Sequence, residues 1–287
     1  MDWTTSTLTA ADGVELALYQ AGPVDAPVVL LVHGYPDNHT VWNSVAGQLA
    51  ERFRVLAYDV RGAGASTPPA GRAGYRIEQL ADDLDTVAAT AGRPVHLLAH
   101  DWGSVQAWHA VTRPDAEHRY ASFTSVSGPS LAYTGAWYRA HRQANRSAVL
   151  RQLAASWYVA FFLLPALPEW AWRRGVLQRM PAVRRRPPVT DDAVHGLEMY
   201  RANVRGNARA ALAPRRCEVP TLVLIPEDDP FITPACARES PHGWVRRLRT
   251  QSVDGDHWGF VTAPNRVSTP FAAFVDELGS WNTDPRA

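Results

Sequence analysis

The run Ala99, His100, Asp101, Trp102, Gly103 sets a carboxylate at the centre of a small-x-acid-x-small pentapeptide. It follows an apolar stretch (Val95–Ala99) and precedes a helical pattern (Val105–Arg113), the setting of a nucleophile elbow. The turn is tight, so small residues are needed at 99 and 103, and the helix N-terminus behind it favours an anion at 101. The plainer alternative is that Asp101 merely caps the following helix. Its partners decide between the two readings. In the chain order nucleophile, acid, histidine, His257 sits in the loop Asp254–Trp258, ahead of the last helical pattern. Asp229 directly follows the strand-like run Thr221–Ile225, with Asp228 as the neighbouring alternative. The competing acid position, after Val126, offers no carboxylate.

His33, Gly34, Tyr35 and Pro36 supply a third element. Gly34 lets the chain turn, so the backbone N–H groups of Tyr35 and Trp102 are read as an oxyanion hole, with His33 as a structural buttress. The stretch Asp59–Gly64 lacks the spacing and the Lys of a phosphate-binding loop and reads as a structural turn.

A carboxylate nucleophile narrows the reaction. Attack by Ser on a saturated carbon gives an ether, which water does not cleave. Attack by Asp gives an alkyl ester, which a His-activated water can open at the carboxyl carbon. The substrates that fit are an epoxide or a carbon–halogen bond.

Those residues need a scaffold. Apolar runs at Pro27–Val32, Arg54–Tyr58 and Val95–Ala99 alternate with helical patterns near 40–52, 77–91 and 105–113, which predicts βαβ units and a parallel sheet. Val14–Tyr19 alternates as an antiparallel edge strand would. Another strand is predicted at Tyr120–Val126. The pattern then stops between 130 and 215, where Trp, Tyr and Arg cluster at helical spacing, and resumes at Thr221–Ile225 and Arg247–Val253 before a closing helix near Val267–Leu278. The expected organisation is a core over 1–129, a helical cap over 130–215 and the second part of the core over 216–287.

The 287 residues carry a formal charge of +1, which suggests no nucleic-acid partner, and all 29 basic residues are Arg. Cys217 and Cys236 lack metal-ligand spacing and read as reduced thiols. The N-terminus lacks the layout of a signal peptide, and the apolar stretch Trp157–Leu167 is too short for a membrane span. A soluble cytoplasmic protein is expected, with no metal or organic cofactor and with homodimerisation left open.

Together these motifs resemble the epoxide hydrolases of the α/β-hydrolase superfamily. His33-Gly34-Tyr35-Pro36 is similar to the family's His-Gly-x-Pro, and His100–Gly103 to its nucleophile motif; the likeness covers nearly the whole chain. Leu98–Val105 and Ala121–Ser130 most resemble the hydrolase half of bacterial proteins in which an epoxide hydrolase is fused to a short-chain dehydrogenase. That implies either a stand-alone hydrolase or one part of a longer chain. The resemblance also implies an α/β-hydrolase fold with a helical cap after the sixth strand, and a small hydrophobic epoxide as substrate. Cap tyrosines would protonate the ring oxygen. Tyr200 resembles one of them. At the other position the segment Ser156–Pro165 departs from the family: Phe161 stands where the tyrosine is expected and Leu163 where a Gln is. Tyr158, at i, i+3 from Phe161, is the residue that can face the same space.

Three rival readings remain at this level. A haloalkane or haloacetate dehalogenase shares the Asp-His-Asp set and would use Trp102 and cap tryptophans such as Trp157, Trp170 and Trp172 as halide donors, though Tyr35 replaces the usual Asn. An esterase or lactonase would need Ser at 101. A binding module would keep the pocket without the chemistry. The apolar Trp157–Leu167 and the arginines at 173–186 also raise the idea of a hydrophobic substrate with an anionic end, against the simpler reading of a packed helix with a solvated Arg face.

Overall fold

In the computed structural model, residues 1–180, 183, 189–204 and 213–281 are described. Eight strands form one sheet in the order β1-β2-β4-β3-β5-β6-β7-β8. They are β1 Thr4–Thr9, β2 Glu15–Ala21, β3 Val28–Val32, β4 Arg54–Tyr58, β5 Val95–His100, β6 Tyr120–Val126, β7 Thr221–Pro226 and β8 Leu248–Val253. β1 and β2 pair antiparallel, as do β2 and β4; every other pair is parallel. This is the α/β-hydrolase fold.

Side chains of the central strands alternate between two apolar layers, as the two-residue period of a strand requires. Val28, Leu30 and Val32 face one layer with Leu97, Ala99 and Trp108; Val29 and Leu31 face the other with Val45, Leu49 and Phe271. Helices Ile77–Ala89 and Trp102–Val111 cover the first layer, and Asn43–Leu49 and Asn265–Trp281 the second. Both faces are therefore covered, which is why these strands read as continuous apolar runs rather than alternating ones. Leu31 has no exposed surface, so Leu31→Ala would cost about 2–5 kcal/mol.

Between β6 and β7 the chain leaves the sheet and forms helices Leu131–Ala144, Arg146–Ala155, Trp157–Phe162, Leu167–Arg173 and Thr190–Asn203. No strand occurs there among the described residues. Polar contacts fasten this insertion to the core. Asp192 accepts from Asn38 Nδ2 and Gly64 N, each at 3.0 Å. Asn203 accepts from Ile77 N at 2.8 Å and donates to Tyr75 O at 2.8 Å. The buried Arg201 ties Glu169 and Glu198 together within the insertion.

The structure corrects two sequence expectations. The alternation of Val14–Tyr19 predicts a sheet edge there, but β1 covers β2 and is itself the edge. β1 carries no apolar signal because it is exposed along nearly its whole length and pairs on one side only. The helix after the elbow starts at Trp102, not Val105, because the turn consumes a single residue. Other expectations hold. Asp59–Gly64 is a structural turn: Arg61 is buried against Asp83 at 2.6 Å and Asp12 at 2.7 Å, and Asp59 accepts from Tyr19 and His39. Cys217 and Cys236 are buried free thiols.

Candidate active site

Asp101 sits between β5 and the helix Trp102–Val111 with φ 50° and ψ −124°, outside the conformations an ordinary residue prefers. Its side chain does not cap the helix. It points instead across to β3's loop, where Tyr35 N donates to Asp101 Oδ1 at 2.7 Å, with the Trp102 N–H close enough to favour the charged carboxylate. The crowding behind this turn explains the glycines. A Cβ on Gly103 would collide with the carbonyls of Val32 and His33, one on Gly128 with the Asp101 carbonyl, and one on Gly34 would lie 2.5 Å from Asp101 Cβ. His33 is buried and accepts from Val60 N at 2.8 Å, fixing the loop that carries Tyr35.

His257 and Asp229 come from the loops after β8 and β7. His257 Nδ1 lies 3.0 Å from Asp229 Oδ2 and 3.2 Å from Oδ1, and Asp229 Oδ1 also accepts from Phe231 N at 2.8 Å and Ile232 N at 3.1 Å. Asp229, not Asp228, holds the imidazole. The other ring nitrogen, Nε2, is 3.7 Å from Asp101 Oδ2. That is too long for a direct hydrogen bond and suits a water between or beside the two groups. Burial pushes the Asp101 carboxyl up to about 6, against the opposing pull of His257 and the two backbone N–H groups. Burial alone would lower His257, but the charge and hydrogen bond of Asp229, with Asp101 behind them, hold it above the usual imidazole range. Burial works against the charged form of Asp229 too, yet His257 and the Phe231 N–H keep that carboxyl below its ordinary value.

The insertion closes the other side. Tyr158 and Tyr200 stand edge to face, ring centroids 6.1 Å apart, and the Trp102 ring meets Tyr200 edge-on at 4.9 Å. Burial raises both phenols far above their usual range, and the nearby Asp101 adds to the effect. Both remain neutral donors at any physiological pH. Phe161 lines the same cavity with an apolar ring, while Leu163 packs against the core.

Asp101, Tyr158 and Tyr200 are shared by two lobes of cavity. The first, about 520 Å³ with its mouth included, is walled by apolar and aromatic side chains, among them Trp157, Phe162, Trp172, Phe231 and Trp258. The second, about 1530 Å³, runs under the helix Leu131–Ala144 past Val105, Leu131 and Val159 toward Arg139 and Arg142.

Several contributors escaped the sequence reading. Rings of His100, Phe231 and Trp258 enclose His257 with centroids 4.5–4.9 Å away, and His100 Nε2 meets the His257 carbonyl at 2.9 Å. Asp37 accepts from the Trp258 indole at 2.8 Å, and Gln152 ties the insertion to Phe231 O and Thr233 N. His100 and Trp258 had a signal, being next to the nucleophile and the histidine. Asp37 and Gln152 had none, because their partners are 221 and 79–81 residues away. Among the described residues, no group of three or more His, Cys, Asp or Glu could hold a metal ion, and no helix is long and apolar enough to cross a membrane.

A carboxylate on the turn after β5 and an acid–histidine couple on the loops after β7 and β8 meet at the C-terminal edge of this sheet. Residues 27–264 match the alpha/beta hydrolase fold family, and the chain belongs to it. Among curated proteins it is 35% identical over 286 residues to a probable oxidoreductase, EphD, of Mycobacterium tuberculosis, covering 92% of this chain and 48% of that one. The chain thus spans about half the length of that relative. It is 25% identical to epoxide hydrolase 3 of Xenopus tropicalis, over 92% of this chain and 76% of the relative. Solved structures share the fold. A metagenomic epoxide hydrolase from hot environments has a TM-score of 0.77 at 24% identity, covering 96% of this chain and 99% of that one. A Bacillus megaterium epoxide hydrolase in complex with an inhibitor has a TM-score of 0.73 at 19% identity, covering 94% and 100%.

Proposed function

We propose that the chain hydrolyses small hydrophobic epoxides through an ester on Asp101, with residues 130–215 acting as a cap over the site. One observation carries the reading: the two oxygens of Asp101 have different surroundings. Oδ1 is held by Tyr35 N, and Oδ2 lies 3.7 Å from His257 Nε2, on a residue that lines the cavity together with Tyr158 and Tyr200. Oδ2 attacks an oxirane carbon, the carbon–oxygen bond breaks, and the ring oxygen takes a proton from Tyr158 or Tyr200. Water then attacks Asp101 Cγ while His257 Nε2 takes its proton. Charge grows on Oδ1 against the N–H groups of Tyr35 and Trp102, the ester opens at the acyl carbon, the departing alkoxide takes the proton back from His257, and the proton left on the Asp101 carboxyl returns to the tyrosinate as the diol leaves.

The electrostatics support this order. Ester formation removes the negative charge of Asp101, one of the causes that raise His257, so the imidazole becomes a readier base in the second step. Tyr158 supplies the donor that Phe161 lacks, from the same face of the helix one turn earlier. The 35% identity to a relative twice as long supports placing the chain with the hydrolase half of the fusion proteins.

The dehalogenase reading finds less support. The Trp172 indole donates to the Tyr35 hydroxyl at 2.7 Å, while Trp170 lies on the outer surface, 52% exposed. A panel of aliphatic and aromatic epoxides beside haloalkanes, with Asp101→Ala as control, tests the proposal. Diol formation that the variant lacks is the expected result; halide release without diols would replace the reading, and binding without turnover would leave a binding module.

A further inference from the structure

Charge is divided unevenly along this chain. Residues 130–215 hold 14 arginines against four carboxylates, a net +10, whereas the remaining residues hold 15 against 24, a net −9. The carboxylates of the insertion do little to neutralise it. Glu169 and Glu198 are engaged by Arg201 and Arg72, and Asp192 faces the core. Arg146, Arg151, Arg173, Arg174 and Arg179 are exposed and make no ion pair among the described residues.

The same stretch of the insertion also exposes apolar side chains. Leu150 is 65% exposed, Leu153 50%, Trp157 54%, Leu164 43%, Leu167 46% and Trp170 52%, all within 21 consecutive residues; across the described part of the core only Met1 and Val24 are comparably bare. Leu150 and Leu153 lie on the helix Arg146–Ala155 opposite its buried Ala148 and Gln152. Single exposed leucines are ordinary, but six large apolar side chains within 21 residues, beside arginines that make no ion pair among the described residues, are not.

We propose that this face, from Leu150 to Trp170, docks on an anionic lipid surface, with the leucines and indoles at the headgroup boundary and the arginines on lipid phosphates. Leucine, tryptophan and arginine together are the composition of an interfacial contact, which needs no spanning helix. The charge division orients the molecule, since the acidic core is repelled by the surface that attracts the insertion. A second copy is disfavoured as the occupant because a two-fold contact would set one basic face against another. Trp157 is both exposed on this face and part of the apolar lobe beside Asp101, so a lipid-dissolved molecule reaches the site from the docked side. The docking argument is independent of which bond the site cleaves.

Flotation of the full chain with vesicles tests it. Phosphatidylcholine vesicles containing phosphatidylglycerol should carry the protein at least about tenfold more strongly than phosphatidylcholine alone, and added salt should weaken the association. The triple variant Leu153→Glu, Leu167→Glu, Trp170→Glu should stay in solution with an unchanged circular dichroism spectrum. Arg173→Gln with Arg174→Gln should retain part of the binding and show a shallower salt dependence. Equal binding to both vesicle types, no binding at low salt, or a triple variant that binds like the parent would each overturn the proposal. So would a parent dimer that the triple variant dissolves without any vesicle association.

Discussion

The two walls of the cavity are held in place by different means. On the sheet wall, Asp101, His257 and Asp229 are positioned by backbone: a residue at φ 50°, N–H groups of Tyr35, Trp102, Phe231 and Ile232, and glycines that admit no Cβ. On the insertion wall, Tyr158 and Tyr200 are positioned by packed rings, against each other and against Phe162. A side chain fixed by backbone tolerates almost no substitution, and one fixed by ring packing can be supplied from a neighbouring helical position. That is how Tyr158 can stand in for the residue expected at 161.

The largest test of this contrast is on the sheet wall. Asp101→Asn should lower kcat/KM for an epoxide by about 10⁴–10⁶-fold, measured by steady-state kinetics, with the fold retained by circular dichroism. On the insertion wall, Tyr158→Phe and Tyr200→Phe should each lower the rate of ester formation by about 10²–10³-fold. The double variant should lose less than the product of the two, because the two rings are in contact and line one cavity. Ester formation followed by stopped flow should fall about tenfold per pH unit once the pH drops below about 6, since a protonated Asp101 does not attack and burial has raised that carboxyl to this value. Gly34→Ala should cost about 1–3 kcal/mol in a urea titration, as its Cβ would lie 2.5 Å from Asp101 Cβ and Oδ1. The smallest effect is expected from Phe161→Tyr. If Tyr158 already donates, kcat/KM should move by less than about tenfold; a gain of about 10² or more would return the donor role to position 161.

The same contrast explains what the sequence made legible. Asp101, His257, Asp229, Tyr35 and Trp102 sit on turns whose shape demands particular residues, so Gly34 and Gly103 announce them. The buried strands were legible to within a residue or two, because burial on both faces leaves an unbroken apolar run. β1 was not, because an exposed edge strand carries no such run. Tyr158 was reachable only as a neighbour of Phe161, since helix phase within the insertion depends on packing against Phe162, Phe231 and Tyr200 rather than on local turn chemistry. Asp37 and Gln152 depend on partners far along the chain, and nothing in their own neighbourhoods marks them.

The central claim concerns one carboxylate, and isotope labelling addresses it most directly. A single turnover of the enzyme in excess over an epoxide, in ¹⁸O-water, should leave ¹⁸O in the peptide containing Asp101, since water enters at Cγ and one oxygen stays behind. Label found in the diol and absent from Asp101 would mean that water attacks the substrate itself, and the covalent account would be wrong.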